Sequence, residues 1–144
     1  MSKKPIAKDS PSFSKSPRID QTFVSHLNQK PSWQLHSIDF DGTWGWETVT
    51  KEVIMQDIWP KLRDFESMFW RDIFGRNNHE IPVYTISKEA QRRLVDLKHI
   101  DLENIVSLRL TGTQRIWGIR NGNILRILWW DPDHTVCPSH LKHT

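Results

Sequence analysis

The spacing of apolar residues changes character along the chain. Trp33 to Phe40 reads as a short strand carrying Trp33, Leu35 and Phe40, closed by an Asp41-Gly42-Thr43 turn. Val53, Ile54, Ile58, Leu62, Phe65 and Phe69 then recur at helical intervals. Thr48 or Thr50 can cap that helix, and Glu52 suits its first turn. Pro60 removes a backbone donor and crowds the preceding turn, so a kink or restart is expected near Trp59. A second short helix is predicted over Met68–Phe74, ending at Gly75. Arg76–Glu80 is polar and reads as a loop, and Ile81–Thr85 as an extended link. Ser87 caps a helix to about Leu97, with Ala90, Leu94 and Leu97 on one stripe, followed by a turn at Asp101–Asn104.

From Ile105 onward the period becomes two. Ile105–Leu110, Arg115–Arg120 and Asn123–Trp130 are β-rich runs, and Asn121-Gly122 is a strong hairpin signal between the last two. The predicted architecture is α+β: N-terminal helices packed on a C-terminal antiparallel β-meander. A two-residue Asn121-Gly122 loop would pair Arg120 with Asn123 and Trp117 with Arg126. Alternation then places Leu108, Leu110, Trp117, Ile119, Ile124, Leu128 and Trp130 on a helix-covered face, with Arg115 and Arg126 at its margins. Arg109, Ile116, Gly118, Arg120, Leu125, Ile127 and Trp129 fall on a half-open face. Such a face, with guanidinium and aromatic groups, suits phosphate and base contact. The alternative is that Arg109 and Arg120 form ion pairs with the acidic middle of the chain. Trp59, Trp70 and the helix phenylalanines are expected in the core.

Charge divides the chain into three. Residues 1–33 are basic, with Lys3, Lys4, Lys8, Lys15, Arg18 and Lys30 against Asp9 and Asp20. The middle is acidic, and the final meander is basic again through Arg109, Arg115, Arg120 and Arg126. Residues 1–32 are rich in proline and serine and poor in large apolar groups, so they read as a disordered leader ahead of a single domain over 33–144. Phe23, Val24 and Leu27 could form a short docking element within the leader. Cys137 is the one cysteine, which excludes a disulfide scaffold and a cysteine zinc finger. No apolar run approaches the ~20 residues of a membrane span, and no secretory leader is evident. A cytoplasmic location is therefore expected.

The chemistry concentrates after the last strand, in Trp129-Trp130-Asp131-Pro132-Asp133-His134. Asp131-Pro132 breaks the strand and leaves His134 on a turn beside strand arginines. A histidine there can donate or accept protons near neutral pH, and arginines can hold a phosphate and stabilise charge growing on it. That set suits RNA cleavage by the RNA's own 2′-hydroxyl, with no metal and no cofactor. A loop-end histidine bonded to Asp131 or Asp133 is the plainer alternative. The histidines lack helix-borne metal spacing; His140 and His143 read as part of a solvated tail.

The run from Ser107 to His134 resembles the sheet of the RelE-like toxins of bacterial toxin–antitoxin systems. It holds an arginine on a central strand (Arg109), a second after a glycine-containing turn (Arg115) and a histidine just past the last strand (His134). The resemblance covers about residues 86–136 and implies a metal-independent endoribonuclease. Arg109 and Arg115 would hold the phosphate and His134 would handle protons. Arg120 and Lys98 would add RNA-backbone contacts, Trp129 would stack on a base, and an antitoxin protein would cover the basic face. By parity, however, Arg115 lies on the covered face and Arg109 on the open one. A bulge at Thr113 or Gln114 would bring them together. Two other readings stay open: a non-enzymatic protein-interaction module with structural arginines, and an RNA binder without catalysis.

Overall fold

A computed structural model describes residues 26–138. Most of the expected leader, with Phe23 and Val24, and the tail with His140 and His143 lie outside the described residues. The fold is mixed α/β. Strands β1 (Ser32–Gln34), β2 (His79–Pro82), β3 (Asn104–Arg109), β4 (Arg115–Asn121) and β5 (Ile124–Asp131) form one sheet in the order β1-β5-β4-β3-β2. All pairs are antiparallel except β1 with β5. The meander read from the sequence is therefore the centre of a wider sheet. The strand expected over Trp33–Phe40 is only three residues long, because the chain turns away after Gln34.

Thr50 caps the first helix by accepting from the Val53 N–H at 3.2 Å. Helix α1 (Lys51–Val53) runs into a π turn, Ile54–Ile58, and then into α2 (Trp59–Glu66). The π turn is the response to Pro60. The wider turn relieves proline's clash with the preceding carbonyls, and the Trp59 N–H reaches back to the Ile54 oxygen. It also leaves Trp59 60% exposed, correcting the expectation of a core tryptophan. Helix α3 (Trp70–Ile73) is shorter than expected. Helix α4 (Lys88–Asp96) starts at its Ser87 cap, whose side chain accepts from Ala90 at 3.1 Å.

Both sheet faces are covered. Ile58, Phe65, Trp70 and Ile73 pack with Val106, Leu108, Ile116, Leu125, Ile127 and Trp130. Ala90 and Leu94 of α4 pack with Ile105, Trp117, Ile119, Leu128 and Trp129, joined by Trp44, Val136 and Cys137. The half-open face read from alternation does not exist: Ile116 and Leu125 are wholly buried.

Three register details differ from expectation as well. The hairpin pairs Asn121 with Ile124, so its loop is Gly122-Asn123, one residue later than expected. Gly122 has φ of +65°, and Asn123 is not among the positive-φ residues, as a loop with glycine in its first position requires. Next, β5 carries one extra residue. Gly118 pairs with Ile127 but Trp117 pairs with Trp129, so Leu128 is a β-bulge. The bulge puts Trp129 on the Trp117 face and sends Trp130 to the other. Beyond β4, Ser107 faces Trp117 and Leu108 faces Ile116, which reverses the expected faces of β3.

The loop from Asp39 to Trp46 seals the outer side of the bulge. The Leu128 carbonyl accepts from the Asp39 N–H at 3.0 Å and from the Trp46 indole at 3.2 Å. The Trp130 N–H donates to the Trp44 oxygen at 3.0 Å. Asp39, 3% exposed, accepts from Trp129 Nε1 at 2.9 Å and from Arg93 of α4 at 2.9 and 2.8 Å. Burial pushes the Asp39 carboxyl up. The Arg93 and Trp129 hydrogen bonds, the Arg93 charge and the Gly42 N–H outweigh that, and it stays below its ordinary 3.8.

A Cβ at Gly42 would lie 2.6 Å from both Arg93 Nε and Asp39 Oδ2, whereas one at Gly75 meets nothing within 4 Å. Gly42→Ala is expected to cost about 2 kcal/mol in urea unfolding, with Gly75→Ala within about 1 kcal/mol of wild type. The depressed Asp39 pKa adds stability that is present above its unfolded value of 3.8 and lost as pH falls through the folded one. Asp39→Asn should flatten that acid slope when unfolding is followed from pH 6 down to about pH 3.

Candidate functional site at the Arg109–Arg115 end of the sheet

Arg109 ends β3 and Arg115 begins β4, and the two are direct cross-strand partners. No bulge at Thr113 or Gln114 is needed. The 110–114 turn closes through Leu110 N–H to Gln114 O at 3.0 Å and Gln114 N–H to Thr111 O at 2.9 Å, and that register alone puts both arginines on one face. Asp131 lies opposite Arg115 on β5, so the same end of the sheet leads directly into the turn that carries His134. A hydrogen bond from Thr113 Oγ1 to the Pro132 oxygen, 2.7 Å, ties the two turns together.

The arginines converge on one carbonyl. Arg109 Nε donates to the Gly112 oxygen at 3.2 Å, and Arg115 Nη1 to the same oxygen at 3.0 Å. Arg109 also donates to Asn77 Oδ1 at 3.2 Å, and Arg115 to Gln114 O at 3.1 Å. Among the described residues neither makes an ion pair. Burial pulls the Arg115 pKa down, the Arg109 charge pulls it further, and Asp131 opposes both. Like charges held opposite each other on a sheet cost energy. A bound anion would relieve that cost.

The turn beyond β5 is held by Asp131, which is wholly buried. Its carboxylate accepts from Trp117 Nε1 at 3.0 Å, from the Thr135 N–H at 2.9 Å and hydroxyl at 3.3 Å, and from the Val136 N–H at 3.0 Å. Thr135 Oγ1 also accepts from the Trp44 indole at 2.8 Å. Within this cage His134 is half-buried with φ of +60°, a conformation that most side chains avoid. Sequence reading singled out His134 and named Asp131 beside it, but missed that Asp131 holds the turn through Trp117, Thr135 and Val136. The signal was present in Asp131, an acid directly after a run of buried β residues.

The remaining sequence candidates lie elsewhere. Arg120 is on the opposite face from Arg109 and Arg115, where it pairs with Glu80 at 2.9 Å and donates to the Gly122 oxygen at 2.8 Å. Lys98 follows α4, whose chain enters β3 at the hairpin end of the sheet, away from Arg109. Trp129 is wholly buried with its indole on Asp39, so it presents no ring for a base; Trp130, on the other face, is 4% exposed. Among the described residues no cluster of three or more His, Cys, Asp or Glu could hold a metal ion. Nor is any helix there long and apolar enough to cross a membrane.

No protein-family model, curated protein or solved structure matches the chain. The likeness to RelE-like toxins rests on the residues quoted for it.

Asp131→Ala would strand the buried Trp117 and Val136 donors and is expected to cost about 3 kcal/mol in urea unfolding. Arg115→Gln relieves a like-charge pair and should change stability by less than about 1 kcal/mol.

Proposed function

We propose that the chain is a RelE-like toxin that cleaves RNA without a metal, and that Arg109, Arg115 and His134 form its site. The observation that carries this reading is the cross-strand pair of arginines with no ion-pair partner among the described residues, at the sheet end that leads into the His134 turn. A phosphodiester between the guanidiniums gives each an oxygen to bond and offsets one of the two positive charges. Charge growing on its non-bridging oxygens during attack by the neighbouring 2′-hydroxyl is stabilised in place. The new O2′–P bond forms as the P–O5′ bond breaks. One proton leaves the 2′ oxygen and one arrives at the 5′ oxygen, and His134 moves the proton at one of them. The products are a 2′,3′-cyclic phosphate and a 5′-hydroxyl. RNA is the substrate and a small antitoxin protein the partner that would cover this corner.

One observation favours the interaction-module reading. Arg120 is spent on Glu80, as a structural arginine would be. The two readings separate on purified protein and RNA.

The full chain should cut single-stranded RNA to 2′,3′-cyclic ends, and the activity should persist in EDTA. His134→Ala should slow cleavage by about 10²-fold or more while the protein stays folded by circular dichroism. Intact RNA with the wild-type chain, or wild-type rates for both His134→Ala and Arg109→Ala, would overturn the proposal.

A further inference from the structure

The other end of the same face holds a second group of basic side chains, independent of the Arg109–Arg115 corner. Helix α4 ends in a complete Schellman turn. The His99 N–H bonds the Leu94 oxygen at 2.9 Å and the Lys98 N–H bonds the Val95 oxygen at 2.9 Å. The residue between helix and exit, which such a turn places in the left-handed region, is normally glycine. Here it is Lys98, with φ of +71°. A lysine held where glycine costs less points to a use for its side chain.

His99, next along, is half-buried, and its imidazole is held below its ordinary pKa, first by burial and then by the charge of Arg126. Arg126 stands on β5 between Gln34 of β1 and Ile119 of β4. Its Nε is buried and has no hydrogen-bond partner. Among the described residues no acid answers these groups: Asp96, Asp101 and Glu103 lie nearby in sequence, yet none forms an ion pair with Lys98 or Arg126.

We propose that Lys98, His99 and Arg126 form an oxyanion-binding site that takes a phosphate group. A guanidinium, an ammonium and an imidazole are three separate donors, which suits a phosphate's several oxygens better than the two of a carboxylate. The buried Arg126 Nε is the donor a ligand oxygen satisfies, and the anion offsets the charge that now bears on His99. Lys98, exposed at the helix exit and next to His99, supplies the ammonium. Because this group lies at the hairpin end of the sheet, the inference stands or falls separately from the cleavage proposal.

The test is an NMR titration of the full chain with inorganic phosphate, with acetate at equal ionic strength as the second arm. Saturable shifts of the Arg126 Nε–H and the His99 ring are expected in the low millimolar range, roughly tenfold weaker with acetate. Lys98→Gly should raise the melting temperature by about 3 °C, because it removes backbone strain. The same variant should weaken phosphate binding by roughly tenfold, so stability and binding move in opposite directions. Arg126→Gln should abolish the saturable shift. Absent or non-saturating shifts, equal responses to acetate, or wild-type binding by Lys98→Gly would each overturn the proposal.

Discussion

Strand β5 carries one residue more than β4 can pair, and the arrangement of the whole sheet follows from that bulge at Leu128. Without it, strict alternation would put Trp129 and Trp130 on the faces opposite to those they occupy. With it, Trp117 and Trp129 become cross-strand partners on one face. Each indole finds a buried carboxylate, Asp131 for Trp117 and Asp39 for Trp129. Buried indole donors and buried carboxylates are both costly when unpaired, so each arrangement requires the other. The bulge also frees the Leu128 carbonyl, and the Asp39–Trp46 loop closes over it.

The two carboxylates do different work. Asp39 clamps a loop, a strand and a helix: its backbone N–H bonds β5, its side chain takes Trp129, and Arg93 brings in α4. Gly42 must lack a side chain for this ion pair to close. Asp131 organises the exit from the last strand, bonding Thr135 and Val136 and leaving His134 in a left-handed conformation. The bulge ahead of it sets the face on which Asp131 emerges, opposite Arg115 and two strands from Arg109. The rigid contacts thus support a corner where, among the described residues, neither Arg109 nor Arg115 makes an ion pair.

Much of this was legible from the residues. The three late strands, the Ser87 cap, a cap at Thr48 or Thr50 (Thr50 is the one used) and the disturbance at Pro60 follow from local chemistry. The shared face of Arg109 and Arg115 does not, since parity set them on opposite faces. The sheet edges were not legible. β1 and β2 are only three and four residues long, and their place depends on pairing with distant strands. Nor was the bulge: a run of seven β-favouring residues gives no local sign of where one is skipped. That omission put Trp129 on the face expected to be open, and the open face itself came from placing helices on one side of the sheet only. Arg120 stays on the face that parity gave it, and its pairing with Glu80 on β2 is the ion pair with the acidic middle of the chain that the sequence left open.

The central claim is that the corner formed by Arg109, Arg115 and the His134 turn receives a phosphodiester. It is tested most directly by titrating the full chain with a short RNA whose 2′-hydroxyls are methylated, so that it binds but cannot be cut, and following side-chain NMR signals. The account predicts saturable shifts at the Arg109 and Arg115 guanidiniums and the His134 ring, with the Arg120 signal unmoved on its Glu80 partner. Shifts centred on Arg120 and the Gly122 hairpin, or none at Arg109 and Arg115, would contradict it.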